Sequence, residues 1–163
     1  MVAYVVEELQ DVTLDIAGPE GRLANYDLMS PFVWMEGETW RLLVRVVPRP
    51  LKPDDPTGVI WSGHSRDGRC FQMAQTPTIA PGSMTDDAGG CEDPTLVQAD
   101  GQYLIYYTGV DSTHSQGALL LAKGRDLTDL TWQRVMLKAP PGEGNIKEAT
   151  LAQGADGQYR LFY

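Results

Sequence analysis

Internal repetition constrains this chain more than any other feature of it, because each repeat is a unit that buries its apolar face only against its neighbours. The segment Asp93-Pro94-Thr-Leu-Val-Gln-Ala-Asp100-Gly101-Gln102-Tyr103-Leu-Ile-Tyr106-Tyr107 recurs as Glu148-Ala-Thr-Leu-Ala-Gln-Gly-Ala-Asp156-Gly157-Gln158-Tyr159-Arg-Leu-Phe162-Tyr163. The identical Asp-Gly-Gln-Tyr words stand 56 positions apart. An earlier copy runs Ser30-Pro31-Phe-Val-Trp34-Met-Glu36-Gly37-Glu-Thr-Trp40-Arg-Leu-Leu-Val-Arg45, and its Gly37 precedes Gly101 by 64. Each copy reads as strand, tight turn, strand, with Glu-Gly or Asp-Gly at the turn.

A second hairpin is expected after each of the first two copies. Gly58 to Gln72 carries its own Asp67-Gly68 turn, and Gly117 to Arg134 joins an apolar run to a Trp-bearing one through a polar turn. A helix over Leu119–Leu130 competes for the apolar run, but Gly117, Gly124 and the Asp/Thr cluster interrupt it, so strand is expected. Four strands per sixty residues describe a propeller blade. The expected fold is all-β, of the β-propeller type, in one partial domain over 1–163. Blades are expected at about 26–80 and 90–140, with an incomplete third at 144–163 and a lead-in strand within 1–25. About two and a half blades do not close a ring. Either the chain is about half of a longer protein, or chains associate as a homo-oligomer that completes the ring.

Composition narrows the partners. With 13 basic and 22 acidic residues among 163, the net charge is −9, which repels a nucleic-acid backbone or an anionic membrane surface. No run of about 18 apolar residues offers a membrane span. The N-terminus, Met-Val-Ala-Tyr-Val-Val-Glu-Glu, lacks the basic start of a secretory signal, so the expected location is cytoplasmic. Cys70 and Cys91 are expected to be reduced and part of the packing, and His64 and His114 to lie solvent-facing in polar turns. Neither pair has zinc-site spacing. The pairs Asp54-Asp55 and Asp86-Asp87 read as solvated loops, and Trp34, Trp40, Trp61 and Trp132 as packing residues or an aromatic platform for a ligand ring.

In a propeller the first strand of every blade lines the central channel, so polar residues at those strand starts converge on one funnel. They are Asn25, Tyr26, Asp27 and Ser30 with neighbouring Arg45, then Glu92 and Asp93, then Asn145, Lys147 and Glu148. Carboxylates in such a setting suit general acid work. Taken alone, Asp93-Pro94 reads equally as a strand-entry turn.

Gly90-Cys91-Glu92-Asp93-Pro94, followed by an Asp-Gly-x-Tyr hairpin that ends Tyr106-Tyr107-Thr108-Gly109, resembles the Glu-Asp-Pro signature of glycoside hydrolase family 130. That family comprises β-mannoside phosphorylases and related hydrolases on a five-bladed propeller. Ser30-Pro31 with Arg45, and Asn145-Ile146-Lys147-Glu148-Ala149, resemble further segments of it. The resemblance implies a glycosidase-like enzyme that cleaves β-linked, mannose-containing glycosides with inversion. It makes Asp93 the general acid. Ser30, Arg45, Glu92, Lys147 and Glu148 become substrate-binding residues, with Glu92 orienting Asp93 or binding a hydroxyl. The implied partner is an oligosaccharide or glycoside. No metal or cofactor is implied, and inorganic phosphate is admitted as a co-substrate.

Three departures bear on the chemistry. Thr95 follows Pro94 where phosphorylases of the family continue with Arg, and Gly117-Ala118-Leu119 lacks a further phosphate-holding Arg, which favours hydrolysis over phosphorolysis. Ser30 replaces the family's first-blade Asn. A furanosidase-like hydrolase (arabinofuranosidase or xylosidase) is the alternative enzyme, with Asp93 and Glu148 resembling its second and third carboxylates. A non-catalytic carbohydrate-binding propeller is the alternative outside enzymes.

Overall fold

A computed structural model describes residues 25–163 together with 12 and 23, apart from the Trp132 side chain. The expected lead-in strand within 1–25 otherwise lies outside the described residues. Ten strands are described: β1 (Tyr26–Glu36), β2 (Thr39–Pro48), β3 (Val59–Ser65), β4 (Gln72–Met73), β5 (Gly90–Ala99), β6 (Gln102–Val110), β7 (Gly117–Gly124), β8 (Trp132–Lys138), β9 (Thr150–Gln153) and β10 (Tyr159–Phe162). They form two four-stranded antiparallel sheets in the orders β1-β2-β3-β4 and β5-β6-β7-β8, and a two-stranded sheet of β9 and β10.

The turns explain the meanders. Glu36 pairs with Thr39 and Ala99 with Gln102, so both hairpins close through two residues. Asp100 and Gly101 have φ of 52° and 68°, the doubly left-handed turn whose twist matches that of the strands it joins. The third Asp-Gly word behaves differently. Gln153 pairs with Tyr159 across a longer loop, with Gly154 N–H donating to Gln158 O at 2.8 Å, so the same dipeptide sits inside a wider connection.

The apolar run that competed as helix is β7. Ala118 to Ala122 are all buried, so both faces of the strand are covered and the usual polar alternation is absent. In β2, Leu42, Val44 and Val46 point into one apolar cluster with Leu23, Trp61, Phe71 and Met73, while Leu43 points into another. That second cluster joins the two four-stranded sheets through Leu43, Ile60 and Ile79 on one side and Cys91, Ile105, Tyr107 and Leu120 on the other. β5 is the central element, touching β1, β2 and β3 on one flank and β9 on the other.

Several local expectations are corrected. His64 lies within β3, exposed, rather than in a turn, whereas His114 does occupy a turn. Both cysteines are free, but only Cys91 is packed; Cys70 is exposed. Trp61 is buried and Trp34 packs against the core, while Trp40 is partly exposed against Gly68. Asp87 is fully buried instead of solvated, because it accepts from the Gly82 and Met84 amides, the Ser83 hydroxyl and the Tyr107 hydroxyl at 2.9–3.1 Å. Its neighbour Asp86 pairs with Lys138.

Candidate functional site

Prolines interrupt the heads of β1 and β5. Pro31 and Pro94 have no N–H to give the ladder, and the register shifts between Met29 and Phe32 and between Glu92 and Thr95. The residue before each proline, barred from the right-handed helical region, takes φ of 48° in both Ser30 and Asp93. Glu148, two residues before β9, has φ of 56° although Ala149 rather than proline follows it. A left-handed backbone is uncommon for residues other than glycine and costs roughly 1–3 kcal/mol. All three repeats thus hold the same unusual conformation at the same position, and the side chains there are Ser, Asp and Glu.

The heads of the first two sheets meet. Ser30 Oγ donates to Asp93 Oδ1 at 2.5 Å across 63 residues of sequence. Arg45, on β2, extends its guanidinium toward the same place: Nη2 donates to Glu92 Oε1 at 2.8 Å, and Nη1 lies 3.6 Å from Asp93 Oδ1. Lys147 Nζ reaches the other oxygen of Glu92 at 3.1 Å. The Glu92 side chain is only 4 % exposed, so both its oxygens are taken by cations, one from the first sheet and one from the segment leading to β9. Paired in this way, a buried carboxylate becomes tolerable.

Of the six residues expected at the site, five therefore form one connected group: Ser30, Arg45, Glu92, Asp93 and Lys147. Glu148 reaches it through backbone, its N–H donating to Thr108 Oγ1 at 3.1 Å, and among the described residues its exposed carboxylate has no partner. Asn145 accepts from the Gly117 amide at 2.5 Å, and Asp27 pairs with exposed Arg49, so neither joins the cluster. Glu92 contacts no free surface of consequence; holding Arg45 and Lys147 is the work its geometry permits.

Two contributors carry no sequence signal. The Thr57 carbonyl accepts from Arg45 Nε at 3.1 Å and Nη2 at 2.7 Å, from inside a proline-rich connector where any residue supplies the same oxygen. Thr108 looked like part of a strand end. Cys91, next to Glu92, is no nucleophile, since burial first, then the Asp87 and Glu92 charges, push its thiol well above the usual range. A cleft of about 270 Å³ opens between Arg41, His64, Tyr103 and the turn at 125–128, but it holds none of the clustered residues. The buried charges and the strained backbone point to the strand heads instead.

Comparisons of this all-β chain with known proteins lead to glycoside hydrolases and phosphorylases. No family model matches the chain. It is 26% identical over 165 residues to the beta-1,2-mannobiose phosphorylase of Thermoanaerobacter sp. (strain X514), covering 87% of this chain and 53% of that protein. The chain thus spans about half the length of this curated relative. Zg3597, a family 117 glycoside hydrolase of Zobellia galactanivorans, superposes with a TM-score of 0.69 at 13% identity, over 94% of this chain and 52% of that one. A structure from the GH130 family of mannoside phosphorylases, described as containing hydrolases that target beta-1,2 mannosidic linkages in Candida mannan, gives 0.55 at 23% identity, over 72% and 33%. The two structures share the fold. The chain is similar to glycoside hydrolase family 130, as the residues around Glu92-Asp93-Pro94 imply, and is glycoside hydrolase- or phosphorylase-like.

Proposed function

We propose that this chain forms the catalytic half of a five-bladed propeller that cleaves β-linked mannosides by hydrolysis with inversion, with Asp93 as general acid. The observation that carries the reading is the cross-sheet cluster, in which Asp93 sits on a strained backbone, held by Ser30 and flanked by Arg45. Strain of this kind persists where surrounding structure fixes it, and it concentrates at sites that do chemistry. Arg45 and Lys147 contact sugar hydroxyls, while Glu92 holds both cations in place. Water attacks the anomeric carbon from the face opposite Asp93, the glycosidic C–O bond breaks as Asp93 protonates the departing oxygen, and the attacking water gives up its proton to solvent, from which Asp93 is reprotonated. Thr95, which is buried and carries no charge, supports water over phosphate as the nucleophile, since phosphate needs charged donors to leave solvent.

The test is turnover of β-1,2-mannobiose with and without inorganic phosphate, followed by proton NMR. The expected first product is α-mannose, phosphate-independent, and Asp93→Asn lowers kcat about 10²–10⁴-fold with substrate binding retained. An Asp93→Asn protein as active as the wild type overturns the assignment, and binding without any turnover in the wild type identifies a carbohydrate-binding module. One observation favours a second reading: Glu148 shares the left-handed backbone of Asp93 and has a free carboxylate, as a furanosidase-like site built from successive carboxylates requires. Aryl arabinofuranoside or xyloside turnover lost in Glu148→Gln supports it over the mannosidase.

A further inference from the structure

Arg45 is a long side chain whose position is set by something other than its own strand. Its guanidinium is forked on the Thr57 carbonyl through Nε and Nη2, and such a fork fixes the guanidinium plane as well as its place. The Thr57–Gly58 segment is in turn stitched to the strand that carries the acid. Thr57 N–H donates to Gly89 O at 2.9 Å and Cys91 N–H donates to Gly58 O at 2.8 Å, one bond on either side of Gly90. Residue 58 has room for hydrogen only. A Cβ there would lie 2.7 Å from Cys91 O and 2.8 Å from both Cγ and Nε of Arg45. The first is backbone of β5 and the others are the stem of the arginine, so the clash is not relieved by moving a flexible tip.

We propose that Thr57 and Gly58 are positioning residues for the candidate site, the Thr57 carbonyl and the bare Gly58 Cα together seating the Arg45 guanidinium between Glu92 and Asp93. The segment works as a gauge between the two four-stranded sheets: it is bonded to β5 on one side and to the β2 arginine on the other, so it fixes the gap that Arg45 crosses. The role in turnover rests on the function proposed above, whereas the seating of Arg45 does not.

The experiment therefore has a readout independent of activity. In nitrogen-15 spectra the Arg45 Nε–H resonance, identified by its loss in Arg45→Lys, is expected to be protected from solvent exchange. Gly58→Ala speeds its exchange at least tenfold. Thr57→Val keeps the carbonyl and removes only a buried hydroxyl that has no partner among the described residues, so protection stays. Glu92→Gln removes the carboxylate charge but leaves the Thr57 fork, and protection again stays, which keeps the idea exposed to failure even where Gly58→Ala does not fold. Protection unchanged in Gly58→Ala, or lost in Glu92→Gln, overturns the proposal. With β-1,2-mannobiose as substrate, Gly58→Ala is then expected to lower kcat more than tenfold with KM changed less than threefold. A wild type without turnover defeats the proposed function while the exchange result still decides the seating of Arg45.

Discussion

Glu92 holds two cations and is almost fully buried, so its removal takes the counter-ion from Lys147 and leaves Arg45 with the longer contact to Asp93 alone. Breaking a buried pair costs about 3–5 kcal/mol, and the partial exposure of Lys147 places Glu92→Gln near the lower end, about 3 kcal/mol by urea denaturation. A loss under about 1 kcal/mol contradicts the pairing. Tyr107→Phe removes one of the four donors to buried Asp87 and is expected to cost about 1.5–3 kcal/mol by the same measurement. The convergence of Ser30, Glu92 and Asp93 was legible from residues, because corresponding words stand at the strand starts of successive repeats. The Asp87 knot was not: Asp86 and Asp87 look alike in the chain, and only the fold of 82–87 turns one inward and leaves the other to Lys138.

Among elements, the two strand–turn–strand meanders are tied at their far ends as well as at the candidate site. Glu36, closing β1, accepts from Tyr103 of β6, from Gln98 Nε2 of β5 at 2.7 Å and from Arg41 Nε of β2 at 2.8 Å. The Tyr103 hydroxyl above all, then Gln98 and Arg41, holds the Glu36 carboxyl below its usual range against the opposing effect of burial. A folded-state value below the unfolded one means the stabilisation is complete above the unfolded carboxylate range, near pH 4.5, and fades as pH falls through the depressed value. Acid titration followed by tryptophan fluorescence should show a shallower stability loss below that pH in Glu36→Gln than in the wild type. Equal slopes count against a structural role for Glu36. Strand existence was readable here from the turn dipeptides, but β7 was ambiguous because burial on both faces erases the period that distinguishes strand from helix.

For the molecule as a whole, two edge strands among the described residues carry exposed apolar side chains. Met29, Val33 and Met35 are exposed along β1, and Tyr159, Phe162 and Tyr163 along β10 and just beyond it. Apolar side chains on an outer strand invite pairing with another chain. Val33→Lys with Phe162→Lys is expected to reduce concentration-dependent light scattering with no loss of folding by circular dichroism; scattering unchanged by both argues that these surfaces do not self-associate. The repeat order was legible because each copy carries its own turn. One part of what joins the first sheet to the second was not, since Thr57 contributes through its backbone carbonyl, which every residue type supplies alike.

The three left-handed residues have an evolutionary corollary. The same left-handed conformation recurs in the three repeats while the side chain it carries is Ser, Asp and Glu. A socket defined by main chain tolerates exchange of its occupant by single-codon steps without renegotiating the frame around it. Ser30→Asp keeps the main chain but replaces the hydroxyl that donates to Asp93 with a second carboxylate, so the frame accepts the exchange while the two acids repel.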